Sequence, residues 1–180
     1  MALNSRTLAG DVRANARVGS LSTVTAGLAP GFTQANLTIL PREYAFDFLL
    51  FCQRNRKPCP LIEVLEPGEY EAKASAPRSD LRTDLPAYRI YRNGVLDHET
   101  NEINELWRSD LVAFLLGCSF TFEEALIRAG IQMRHIQEDK NVSMYVTNIE
   151  TSSAGVFSGP MVVSMRPIHH TKVVKTVQIT

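Results

Sequence analysis

A layered α/β fold, a mixed sheet with packed helices, is predicted for this sequence of 180 residues from three observations. Apolar residues recur at helical spacing in several stretches, and short apolar runs bounded by glycine and proline read as strands. The two kinds of stretch intermingle along the chain, as in layered domains that pack helices on a sheet. The length fits one domain over residues 1–180, with residues 66–150 as a candidate small inserted α+β lobe. A chain of this size buries roughly 70% of its unfolded surface, enough for a core without disulfide or metal staples.

Each element has its own signal. Leu8, Val12 and Ala16 share a helical face, so residues 5–18 are predicted as a first helix. A loop with Gly27, Pro30 and Gly31 follows, and its Pro-Gly pair marks a tight turn. Residues 41–55 read as helix, with Pro41 at the first position and Ala45, Phe48, Leu49 and Cys52 along one side. Pro58 and Pro60 then hold an extended lead into a buried strand at residues 61–65. Residues 66–86 are polar and rich in proline, which reads as a long loop. Asn93-Gly94 supplies the positive φ angles of a two-residue turn, so residues 88–92 and those from Val95 onward form a hairpin. Residues 102–116 show Ile103, Leu106, Trp107, Asp110 and Phe114 at helical intervals with Gly117 as the stop, predicting a helix. Thr121 and Glu124 have capping-box spacing and open a further helix that Gly130 ends. Strands are predicted at residues 142–149 and 160–165, and residues 173–179 are ambiguous.

Composition excludes several function classes. Nineteen Lys and Arg balance nineteen Asp and Glu, so no net field draws the chain to nucleic acid or to an acidic membrane. Cys52, Cys59 and Cys118 are an odd number at wide spacing, which argues against a disulfide framework and fits a reducing compartment. The first nineteen residues contain no apolar run long enough for a signal peptide or a spanning helix. Arg6, Arg13 and Arg17 give them a transit-like look, but Asp11 suits a short amphipathic helix equally, and cytoplasm is the default expectation. Neither the cysteines nor His98, His135, His169 and His170 have metal-ligand spacing, so no metal or other cofactor is expected.

The candidate chemistry lies in four places. Cys118 falls in a corner, Gly117-Cys118-Ser119-Phe120, ahead of a predicted helix start. Unpaired N–H groups and the dipole there would favour a thiolate, or would let Ser119, Phe120 and their amides hold a carboxylate; the bland alternative is a small packed residue. With no base assignable to the sulfur, the corner itself is the favoured reading. Ser164 and Arg166 lie at the polar end of an apolar strand, where an arginine grips a carboxylate, either an internal one or a substrate's. Asp80 and Asp84 flank Arg82 in the long loop and are either a solvated pair or proton-transfer groups. Gln34 and Asn36, after the Pro-Gly turn, either orient a polar ligand or satisfy local backbone.

Several of these segments, in this order, resemble one family. They are Ala29-Pro30-Gly31 with Gln34-Ala35-Asn36, Leu40-Pro41 with Asp47-Phe48 and Phe51-Cys52, Cys59-Pro60-Leu61, and the run from Asp80 to Pro86 with Tyr88. Asp110-Leu111-Val112 with Phe114, Gly117-Cys118-Ser119-Phe120 with Glu123, and the run from Gly159 to Pro167 complete the set. Together they are similar to the DUF1445/UPF0317 hydro-lyase family and to the amino-terminal part of mitochondrial D-glutamate cyclase. The resemblance implies further segments past the point matching Thr180, with His-Gly, Cys-Gly-Val-Thr and His-Pro-Gly motifs, so this sequence is expected to be a fragment or a truncated relative.

What the resemblance implies about function is a lyase that removes water from a small amino or hydroxy acid, with cyclisation of D-glutamate to 5-oxo-D-proline as the specific expectation. Such a site needs a cationic clamp for a carboxylate, an acid/base group and donors for a developing oxyanion. Arg166 is the expected clamp and the Cys118 to Phe120 corner the carboxylate or oxyanion site. Asp84 or Asp80 is the expected proton carrier, with Glu123 as the alternative. The competing expectation is a non-catalytic module or inactive remnant that binds a small carboxylate, and a third makes the chain part of a homo-oligomer.

Overall fold

The computed structural model describes residues 7–138 and 140–180; the first residues of the predicted amino-terminal helix, Ser5 and Arg6, lie outside them. The core is a three-stranded antiparallel sheet of strands β1 (Ala35–Pro41), β5 (Leu111–Gly117) and β2 (Leu61–Val64), with β5 in the middle. Helices and strands mix as predicted for an α/β chain, and every strand pairing among the described residues is antiparallel.

Strand β5 is the largest departure from the sequence reading, which made residues 102–116 a helix. Only Asn104–Leu106 turns, as a single 3-10 turn, and the chain then extends. Two contacts accompany the extended course. The Arg108 guanidinium chelates the Asp110 carboxylate at 2.8 and 3.1 Å, and the Trp107 indole N–H donates to the carbonyl of Gly68 at 3.0 Å. Once extended, LVAFLLG presents alternate side chains to two apolar layers. Val112 and Phe114 pack with Phe48 and Cys52 of helix α2 (Arg42–Arg54), while Ala113 and Leu115 pack with Leu65, Ala72 and Leu81. A strand covered on both faces carries no polar alternation, which is why its sequence mimics a buried helix. Gly117 closes the strand, not a helix, and its α-carbon leaves no slack, since a β-carbon there would sit 3.1 Å from Pro60.

The amino-terminal helix α1 (Ala9–Arg17) buries Val12 and Ala16 against Leu21 and Ala29. Residues 66–86 contain no regular element but are not idle, because Ala72 and Leu81 are core residues of the sheet layer. The hairpin of β3 (Tyr88–Arg92) and β4 (Val95–Thr100) turns at Asn93 and Gly94, both at positive φ, as predicted. Pro41 ends β1 and precedes the first residue of α2 rather than occupying it.

After Gly117 the chain makes a 3-10 turn, Ser119–Phe122, and then the short helix α3 (Glu123–Arg128). The predicted capping box is absent. Thr121 Oγ1 instead accepts the Gln34 backbone N–H at 3.0 Å, and Glu124 pairs with Arg128 one turn on. The single turn α4 (Arg134–Gln137) follows. Strands β6 (Ser143–Glu150) and β7 (Pro160–Met165) form a separate two-stranded ribbon, and the ambiguous carboxyl-terminal stretch is helix α5 (Val173–Ile179). Lys172 and Lys175, in and just before α5, donate to the carbonyls of Gly130 and Ala129 at 2.6 and 2.8 Å, satisfying acceptors at the end of α3.

The ribbon is fixed at both ends. At its loop, Asn55 Nδ2 donates to the Ser152 carbonyl at 2.7 Å and Asn55 Oδ1 accepts the Ser152 N–H at 2.9 Å. Phe157 sits edge-on to Phe48 at 5.1 Å between centroids, and Gly155, at φ +52, lies so close that a β-carbon there would collide with the Asp47 carboxylate. At the other end Ser164 and Arg166 dock beside α3.

Candidate functional site

Arg166 follows β7, so the pleat sends it to the same side as Ser164 two residues earlier. That side meets the turn after β5. The Arg166 guanidinium donates through Nε to Glu123 Oε1 at 2.8 Å and through Nη2 to the same oxygen. It also donates through Nη1 to Ser164 Oγ at 2.9 Å and through Nη2 to Ser119 Oγ at 3.0 Å, with its plane over the Phe122 ring at 5.0 Å. The pair is desolvated, with side chains 9% and 3% exposed. Of the two carboxylates weighed for Arg166, the structure supplies the internal one, Glu123, and four of the five guanidinium N–H groups are committed within the protein.

His135 completes the cluster and was not a sequence candidate. Its side chain is 8% exposed, and Nε2 lies 3.0 Å from Glu123 Oε1 without the alignment of a hydrogen bond. Glu123 Oε2 and His135 Nε2 are therefore the two buried side-chain polar atoms left without a hydrogen-bond partner among the described residues. Buried polar atoms are nearly always paired, so two orphans on adjacent titratable groups are a candidate place for chemistry, a ligand or an ordered water.

Glu123 also connects this buried cluster to open space. A cavity of about 350 Å³ is bordered by the loop from Gly27 to Phe32, by Phe120 and Thr121, and by Glu123, Glu124, Ile127 and Arg128 of α3. The size is at the small end of the range for ligand sites, roughly 300–1,000 Å³. Its charged lining is two carboxylates and one guanidinium, and Arg128 pairs with Glu124 at the exposed edge. Among the described residues no group of three His, Cys, Asp or Glu side chains could hold a metal ion, and no helix is long and apolar enough to cross a membrane.

The other sequence candidates have separate partners. Asp84, its side chain 1% exposed, takes Arg17 Nη2 at 2.6 Å and Nε at 2.8 Å, lies 3.6 Å from Arg13 Nε, and accepts the Asp80 N–H at 2.8 Å. It ties α1 to the long loop. Asp80 chelates Arg82 at 2.7 and 2.8 Å, and the guanidinium holds its carboxyl below the usual carboxylate range. Neither shares a hydrogen bond or ion pair with the Arg166 cluster. Gln34 borders the cavity, but its amide is committed to Thr25 and Leu28; Asn36 lies in β1 opposite Leu116.

At the corner itself, the Cys118 N–H donates to the Gln34 carbonyl at 3.1 Å, and Phe120, not Cys118, reaches the cavity. The first turn of α3 already carries Glu123 and Glu124, whose charges complement the helix dipole, so the turn is poorly suited to attract a further anion. Cys52 on α2 is a core residue, which burial pushes up to about 11, and Cys59 in the following loop is partly buried against it.

Comparison with known proteins adds identity to this geometry. A family model described as D-glutamate cyclase matches residues 112–180, the stretch that holds Ser119, Glu123, His135, Ser164 and Arg166. A protein of Geobacillus kaustophilus named "Putative hydro-lyase" is 63% identical over 156 residues, which is 87% of this chain and 59% of the relative. Relatives with the same descriptor from Natranaerobius thermophilus and Bacillus subtilis are 57% and 54% identical over 170 residues, 94% of this chain. The chain thus spans about 59–66% of the length of these curated relatives. On those identities, sustained across nearly all of its length, the chain belongs to the hydro-lyase family that these bacterial proteins form.

Proposed function

We propose that this chain carries the acid/base part of a hydro-lyase that closes a small amino acid onto its own side-chain carboxyl with loss of water, D-glutamate to 5-oxo-D-proline. The observation that carries the reading is Glu123: buried, anchored by Arg166 through one oxygen, with its other oxygen unpaired, and bordering a cavity of ligand size. The family description over residues 112–180 and the hydro-lyase names of the relatives support the same class.

The cavity lining favours an amino acid over a hydroxy acid. Glu123 and Glu124 face an ammonium group favourably, while Arg128 is the cation of the lining that can meet its carboxylates. In the reaction, Glu123 removes a proton from the ammonium, the freed amine attacks the γ-carboxyl carbon, and an oxygen leaves as water. Atoms balance, because two protons leave nitrogen and two arrive on the departing oxygen. Cys118 takes no covalent part in this route.

The test is to incubate the protein with D-glutamate and follow 5-oxoproline, with L-glutamate in parallel. Turnover that falls by about 100-fold or more in Glu123→Gln and is retained in Cys118→Ser is the expected result, in line with the usual weight of a general acid/base group. Thermal stabilisation by D-glutamate without product would replace the enzyme by a carboxylate-binding module. Equal turnover of wild type and Glu123→Gln would refute the assignment.

A further inference from the structure

The proposed reaction moves two protons from nitrogen to oxygen, and Glu123 offers one basic site to the cavity. We propose that His135 is the positioning partner that exchanges a proton with Glu123, storing the first proton so that the carboxylate is ionised again for the second. The inference rests on the hydro-lyase reading and extends it to a residue that does not itself border the cavity.

Among the described residues the geometry makes His135 the one neighbour able to do this. Its Nε2 is 3.0 Å from Glu123 Oε1, closer than any other titratable nitrogen except those of Arg166, and a guanidinium does not release its proton in a protein. The imidazole is 8% exposed, so a proton placed on it is shielded from water. The charges around it are otherwise matched. Glu123 on α3 faces Arg166 beyond β7, Arg134 on the histidine's own turn pairs with Glu138 at 2.8 Å, and Lys140 lies 3.4 Å from the same glutamate.

The absent alignment between His135 and Glu123 also fits. Catalytic hydrogen bonds are often out of line without substrate and tighten when it binds, so a tilt of the imidazole at 3.0 Å is enough to open the transfer path. In balanced form, the substrate ammonium gives a proton to Glu123, Glu123 passes it to His135, and the carboxylate then takes the second proton from the cyclised nitrogen. Glu123 then gives its proton to the leaving oxygen, takes the stored proton back from His135 and delivers that one as well, so water departs and the pair is reset.

Two measurements test this. In the pH dependence of kcat for D-glutamate cyclisation, His135→Asn is expected to lose one limb of the profile and about 100-fold in kcat, with KM changed only a few-fold; His135→Gln serves if the first variant does not fold. A His135→Asn enzyme with both limbs and near-normal kcat overturns the proposal. The second readout needs no turnover: the ¹⁵N NMR signals of the His135 ring are expected to move in Glu123→Gln, because the ring loses the carboxylate that lies 3.0 Å from its Nε2. Unmoved ring signals sink the exchange. If wild type makes no product but the ring signals move, the substrate assignment fails while the coupled pair survives.

Discussion

Replacing Arg166 by Met is the most direct way to weigh the buried ion pair apart from any catalysis. The substitution keeps most of the side-chain volume and removes the cation from a carboxylate whose side chain is 3% exposed. It also removes the donors to Ser164 and Ser119, both of which lie in the same cluster. Stranding one partner of a buried pair typically costs about 3–5 kcal/mol. The expectation for Arg166→Met is therefore a loss of about 3 kcal/mol or more. Glu123→Gln alone strands the guanidinium instead, near a more open edge at 9% exposure, and should cost about as much or less. The double variant carries no stranded charge, so it should be less destabilised than the sum of the single changes by about 1–3 kcal/mol. Urea unfolding followed by the fluorescence of Trp107, the single tryptophan, measures all three. Additive losses would refute the view that these two side chains are partners.

Other expectations concern the core, the thiols and the acid limb of stability. Phe114→Ala, at the buried centre of β5 against Phe48, should lower stability by about 3–5 kcal/mol in a thermal or urea melt. Cys52, pushed up to about 11 by burial, should react with iodoacetamide at pH 8 far more slowly than a free thiol, with a rate still rising as pH is taken past 9. Asp80 is held below the usual carboxylate range by Arg82, so its contribution to stability is fully present above the unfolded pKa, about 3.9, and is lost as pH falls through the lower folded value. The Tm gap between wild type and Asp80→Asn should therefore be constant from pH 7 to 5 and close in strong acid.

The parts of the fold that were legible in the sequence are those with a local cause. Asn93-Gly94 turns the β3–β4 hairpin because its backbone chemistry leaves few other choices, and the face of Ala45, Phe48 and Cys52 specifies α2 because one side of it is solvated. Strand β5 was not legible, since a strand buried on both faces has no polar alternation to report its period. At the site, Glu123 and Arg166 were each visible, as an acid and as an arginine ending an apolar strand. That they pair depends on how β7 docks beside α3, a contact between residues 43 apart that leaves no trace in spacing. His135 carried less signal still, as a lone histidine in a polar stretch with no motif around it. Its role emerges only when the turn of α4 places it against Glu123.

The double anchoring of the β6–β7 ribbon makes it a lever with its fulcrum at neither end. One end is fastened to α2 through Asn55 and Phe157, and the other delivers Arg166 to the carboxylate of Glu123. Loosening the far fastening, by changing Asn55 and Phe157 together for instance, would not touch the cluster directly, yet it would release the end of the ribbon opposite Arg166. Sensitivity of the site should thus extend along the whole ribbon, and residues of α2 that meet no ligand belong to its mechanical frame.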